Sequence, residues 1–234
     1  AGAAVPPTPA PTASEASGEP AAARPLRYVA LGDSFTAGIG LERTAERWPN
    51  QLVRALRPGV ELDLVANLAA AGASTFEVLD TQLPALDGLD AELVSLQVGV
   101  NDVIRDVPLA TYRANLERIL DGAPAADGEP AVTGLLARLP AARILLVETP
   151  DYTRAPRGTD YRRPGDAAAI AEANVALRAV AAARGIAVVA VAPIADLVSG
   201  DPTLIAPDGL HPSGKQLAGW VELIAPVVRG LVGG

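Results

Sequence analysis

The chain has no cysteine, no methionine and one histidine. Without cysteine there is no disulfide, no thiolate nucleophile and no Cys-ligated zinc. One imidazole is too few for zinc or copper sites built from several nitrogen or sulfur ligands, which leaves only hard cations on carboxylates as conceivable metals. Aromatic residues make up 3% of the chain, so a core must come from Ala, Leu, Val and Ile. Lys215 is the one lysine among 19 basic residues. That arginine bias, with abundant Ala, Gly and Pro, reads as the mark of a GC-rich genome and not of a binding surface. The net charge is −8, and no basic cluster interleaved with aromatics occurs. Neither a nucleic-acid partner nor attraction to anionic lipid is therefore expected. No apolar run approaches the ~18 residues of a membrane span, so no integral membrane segment is expected. Nothing specifies an oligomeric state.

Half of the 234 residues are hydrophobic, enough for one α/β domain with a substantial core. Residues 1–25 stand apart, being almost wholly Ala, Pro, Ser, Thr, Gly and Glu. Such a segment cannot bury apolar surface and reads as a disordered, semi-extended tether. With no methionine at position 1, the expectation is a tether left by a cleaved export signal, hence an extracytoplasmic protein. The alternative is the tail of a cytoplasmic one.

Residues 26–234 read as a single domain of alternating strands and helices. Strands are expected at Arg27–Leu31, Leu62–Ala66, Leu93–Val98, Arg143–Glu148 and Ile186–Val191. Helices are expected at Ala45–Leu56, Thr75–Leu83, Leu109–Leu120, Val132–Leu139, Ala167–Arg184 and Lys215–Val228. Residues 149–165 read as a polar, solvated surface loop; a functional alternative has them shaping the substrate pocket. Strands separated by helices require a parallel sheet covered on both faces, giving a three-layer α/β/α sandwich.

In such sheets, ligands bind beyond the carboxyl ends of the strands. Four polar turns fall there: Gly32-Asp33-Ser34, Asn67 through Gly72, Gly99-Val100-Asn101-Asp102, and Asp208 to His211. A serine hydroxyl needs a base, and His211 is the only imidazole available to Ser34. Asp208, three residues earlier, can reach the far ring nitrogen and fix the tautomer. The N–H groups of Ser34 and Gly72 and the Asn101 amide are candidate donors to an oxyanion. Alone, each piece is also an ordinary turn or helix cap; their force lies in occurring together and in this order. Asp33 and Asp102 read as organisers of their loops, Trp48 and Trp220 as packing residues.

GDSFTAG, Asn67 with Gly72, GVND and DGLHP together resemble the ordered blocks of the SGNH, or GDSL, hydrolases, over nearly all of residues 27–231. The resemblance implies a flavodoxin-like fold with a five-stranded parallel sheet. It also implies Ser34 as nucleophile, Gly72 and Asn101 as oxyanion donors beside the Ser34 N–H, and Asp208 with His211 completing a triad. The stretch SGDPTLIAPDGLHPSG is similar to the bacterial lysophospholipase, thioesterase and arylesterase branch. Two positions depart from the family pattern: Phe35 stands where the GDSL name has leucine, and Ala71 precedes Gly72 where many members have serine.

The function expected is hydrolysis of a small-molecule carboxylic ester or thioester through an acyl-Ser34 intermediate, with no metal or organic cofactor. Carbohydrate O-deacetylation is the alternative within the family. A non-catalytic binding module on the same fold is a third reading. A receiver-like acidic pair of Asp33 and Asp102 is a fourth, weakened because the lysine expected after the fifth strand is missing.

Overall fold

Five short apolar runs become five parallel strands: β1 (Leu26–Gly32), β2 (Leu62–Asn67), β3 (Leu93–Gln97), β4 (Ile144–Val147) and β5 (Ala187–Val189). They lie in the order β2-β1-β3-β4-β5 in the computed structural model, which describes Gly2, residues 24–126 and residues 131–233. Most of the expected tether falls outside the described residues. Within it, Arg24 pairs with Glu92 at 2.6 Å.

The α-helices are α1 (Ser34–Ala37), α2 (Trp48–Ala55), α3 (Thr75–Glu77), α4 (Val100–Ile104), α5 (Leu109–Asp121), α6 (Asp166–Ala182), α7 (Ala192–Ala195) and α8 (Gly214–Val232). Alternation along the strands divides the core into two layers. Val29, Leu31, Val94, Leu96, Ile144 and Leu146 face one way, against Leu116 of α5 and Leu177 of α6. Tyr28, Ala30, Leu93, Leu145 and Val147 face the other, against Trp48, Leu52 and Trp220 of α2 and α8. Both tryptophans are fully buried packing residues. Among the described residues, no helix is long and apolar enough to cross a membrane.

Three expected elements differ. The helix expected over Ala45–Leu56 is split into a 3₁₀ turn at Thr44–Glu46 and α2, with the extended residue Arg47 between them. Pro49 in the first turn of α2 fits a helix start there, since its fixed φ suits the first turn and its missing N–H would lack a helical partner in any case. The helix expected over Val132–Leu139 shrinks to a 3₁₀ turn at Leu135–Ala137. Val132 instead bridges Ala123, and Gly134 lies so close to the Gly122 backbone that a β-carbon there would sit 2.2 Å from its nitrogen. Residues 149–165 are not a freely solvated loop: two 3₁₀ turns, Tyr152–Arg154 and Pro156–Asp160, bury Tyr152 and Ala155.

The chain leaves β1 for β2 on one side, then crosses to β3 on the other. That reversal opens a crevice at the carboxyl ends of β1 and β3, where Ser34 and Asn101 follow. Gly32 lets the two strands close tightly there. At its φ of +146° a β-carbon would lie 2.3 Å from the Gln97 carbonyl oxygen.

Candidate active site

Asp33 follows β1 and caps α1 by accepting from the Phe35 N–H at 3.0 Å. Ser34 is thereby held at the first helical position with only 8% of its surface exposed. Its N–H has no intramolecular acceptor among the described residues, and neither has the N–H of Gly72. Gly72 adopts a left-handed φ of +74° in the turn after β2. Asn101, in α4, donates one amide hydrogen to the Ala73 carbonyl at 2.8 Å, which leaves the second free.

At the other end of the chain, Asp208 folds over its own turn. Its Oδ1 accepts from Leu210 N–H at 2.9 Å and His211 N–H at 3.0 Å, and its Oδ2 lies 2.7 Å from His211 Nδ1. Burial opposes ionisation of Asp208. The two backbone N–H groups and the imidazole outweigh it, holding the carboxyl below the ordinary range. An ionised acceptor on Nδ1 sets the tautomer: the proton sits on Nδ1 and Nε2 keeps its lone pair. The imidazole makes a T-shaped contact with Phe35, centroids 5.7 Å apart, and Phe35 in turn leans on Trp220 at 6.2 Å. The phenylalanine in the leucine position therefore props the histidine ring.

Ser34, Gly72, Asn101 and His211 line one cavity of about 240 Å³, walled otherwise by apolar groups including Phe35, Ile39, Val100 and Ile104. Tyr152 and Tyr161 bring the 149–165 segment onto the same cavity. That segment is tied down on both sides: Tyr152 donates to Asp166 at 2.5 Å, and the Arg157 N–H donates to the Gly209 carbonyl at 2.8 Å. All five residues singled out in the sequence thus converge, with Asp208 behind His211.

Asp33 and Asp102, both buried, organise loops. Asp102 accepts from Thr75 Oγ1 at 2.5 Å and Thr75 N–H at 3.1 Å, joining α4 to the start of α3. Burial raises its carboxyl above the ordinary range. Asp33 is pushed up to about 8, chiefly by complete burial, against the opposing hydrogen bonds from Phe35 and Gln97. An unfolded chain loses this proton near 3.8. Between about pH 4 and pH 8 the folded state alone keeps it, so Asp33 makes stability fall as pH rises. Asp33→Asn should flatten that decline, read as the urea midpoint against pH; an unchanged slope would show that Asp33 does not cause it.

Sequence reasoning missed Arg105, whose Nη2 donates to the Gly72 carbonyl at 2.6 Å. Its position one turn beyond Asn101, at the C-cap of the same helix, was the available signal. The ring contact of Phe35 with His211 had none, because it joins residues far apart in the chain.

At the switch point of this parallel five-stranded α/β/α sandwich, one cavity brings together a serine, an imidazole and N–H donors, an arrangement suited to acyl transfer. The family comparison agrees. Residues 30–216 match the GDSL-like lipase/acylhydrolase family, and the chain belongs to that family of carboxylic ester hydrolases. No curated protein matches by sequence. Among solved structures, a lipase/acylhydrolase from Enterococcus faecalis shares 21% identity at a TM-score of 0.63, covering 88% of this chain and 96% of its own. The esterase EstA from Pseudoalteromonas sp. shares 17% identity at 0.62, with coverage of 89% and 99%. An acetyl xylan esterase from Geobacillus stearothermophilus shares 16% identity at 0.62, with coverage of 87% and 94%. At these identities the likeness is one of fold.

Proposed function

We propose that this protein hydrolyses carboxylic esters of small to medium acyl groups through an acyl-enzyme on Ser34. The observation that carries the reading is the shared cavity. It sets Ser34 and His211 beside two unpartnered N–H groups and a half-free amide, in otherwise apolar walls. His211 Nε2 takes the Ser34 proton as Oγ attacks the ester carbonyl. The N–H groups of Ser34 and Gly72 and the Asn101 amide receive the oxyanion. Collapse breaks the ester bond, and His211 returns its proton to the departing alcohol. Water then enters, gives a proton to His211 and attacks the acyl carbon, and the second collapse frees the acid and restores Ser34. The mechanism needs no metal or organic cofactor.

A volume of about 240 Å³ lies below the roughly 300–1,000 Å³ of pockets for drug-sized ligands. It suits a short or medium acyl chain better than a glycan, for which the apolar walls offer few polar partners.

A fluorophosphonate probe tests the chemistry, because only an activated serine takes it up. One adduct is expected, on the Ser34 peptide; an unlabelled chain would overturn the reading. Nitrophenyl esters test the substrate. Specificity should rise from acetyl by up to about fourfold per methylene, from about 0.8 kcal/mol of burial each, until the cavity is full. A maximum at acetyl would favour the deacetylase reading instead.

A further inference from the structure

The turn carrying Gly72 has little of its own to hold its shape. Gly72 lacks a side chain and sits at φ +74°, and Ala71 before it has no hydrogen-bonding side chain. The turn is anchored upstream, where Leu68 N–H reaches the Ala30 carbonyl and Ala70 N–H reaches that of Gly32. Downstream, its two consecutive carbonyls are held from α4 and from its C-cap residue, Arg105. Asn101 takes that of Ala73 at 2.8 Å and Arg105 takes that of Gly72 at 2.6 Å. The guanidinium is aimed by its other nitrogen, which lies 2.8 and 3.0 Å from the two Glu77 oxygens and 3.2 Å from Ser74 Oγ. Glu77 is fixed in turn. It accepts from Ser74 N–H at 2.7 Å and Ser74 Oγ at 2.6 Å, closing a capping box at the start of α3. Burial opposes its charge, but the Ser74 and Arg105 hydrogen bonds prevail and hold its carboxyl down to about 2.

We infer that Arg105 is a positioning residue for the oxyanion site: with Glu77 as its anchor, it holds the Gly72 carbonyl so that the Gly72 N–H points into the cavity. The inference rests on the proposed acyl-serine chemistry. Helix α4 and its C-cap then set both donors that come from outside the nucleophile's own turn, Asn101 directly and Gly72 through Arg105. The side chains of Arg105 and Glu77 are 45% and 40% exposed. An ion pair so open to solvent adds little to stability. Its effect should fall on alignment instead, and misplacing a reacting group by about 1 Å can cost on the order of a hundredfold in rate.

The test compares wild type with Arg105→Met, Arg105→Lys and Glu77→Gln in the full chain. The readouts are nitrophenyl-ester kcat and KM, the rate of fluorophosphonate labelling, and thermal unfolding. Arg105→Met should lower kcat and the labelling rate together by about 10- to 100-fold, because the phosphonyl oxygen uses the same donors. KM should stay within about twofold and the unfolding temperature near wild type. Lysine, which still reaches a carbonyl, should recover part of the loss. Glu77→Gln, which frees the guanidinium without removing it, should lose less than methionine does. A methionine variant with unchanged kcat, or one altered only in KM, overturns the inference. If Arg105→Met does not fold, an unchanged kcat in Glu77→Gln does so. A wild type that turns over no ester and takes up no probe overturns the acyl-serine reading, and this inference with it. An active wild type with an equally active Arg105→Met overturns the inference alone.

Discussion

Ser34→Ala and His211→Ala should each lower kcat by about a thousand- to a millionfold, and the double variant should lose no more than the worse single one. The two side chains act as one unit: the hydroxyl is inert without a base, and the base has nothing to activate without the hydroxyl. What survives either change is the contribution of the oxyanion donors and of substrate binding. The Ser34 N–H persists in the alanine variant. Two features make this a clean experiment. Ser34 Oγ makes no hydrogen bond among the described residues, so its removal leaves no buried polar group unpartnered. And His211 is the only histidine, so no other imidazole can take its place or distort a pH profile. Loss of the ring costs an edge contact with Phe35, while Asp208 keeps two backbone donors and the turn survives. Ester turnover and thermal unfolding of the three variants check the expectation. Retained turnover in Ser34→Ala, or losses that multiply in the double variant, would falsify it.

The strands were legible because each is an apolar run closed by a turn, and the parallel arrangement followed from the helices between them. The strand order is a different matter. It depends on which edge each crossover takes, and only the resemblance of the ordered blocks carried it. Two of the misjudged segments share one cause: long-range contacts overrode local pattern. Val132 has helical neighbours in sequence, yet pairs with Ala123 across a close glycine contact. Residues 149–165 are polar enough to look solvated, but Tyr152 finds Asp166 and Arg157 finds the carbonyl of Gly209. In the site, the groups proposed to touch substrate could be named in advance, because their residue types are dictated by chemistry and their turns follow strand ends. The supports could not. Phe35 beneath His211 and Arg105 on Gly72 are ordinary residues given their work by packing.

Asp208→Asn separates two roles that the carboxylate combines. Its Oδ1 holds the turn by accepting from Leu210 and His211, and its Oδ2 accepts from His211 Nδ1. An asparagine oxygen can keep both backbone N–H groups, so the turn and the position of the ring should persist. Its nitrogen then faces Nδ1, and an amide N–H can only donate. Nδ1 must become the acceptor and the ring proton moves to Nε2, the atom that should receive the Ser34 proton. The expected loss is about 10⁴-fold in kcat, from the wrong tautomer in an intact site. Asp208→Ala should lose comparable activity for a further reason. It strips both backbone N–H groups of their acceptor, and a lost buried acceptor costs about 1–3 kcal/mol per group, less where water reaches it. The two variants should therefore match in activity and part in stability, with Asn unfolding near wild type and Ala well below it. An Asn variant within tenfold of wild-type kcat would mean that the carboxylate does not set the tautomer. An Asn variant as unstable as Ala would mean that the turn depends on its charge.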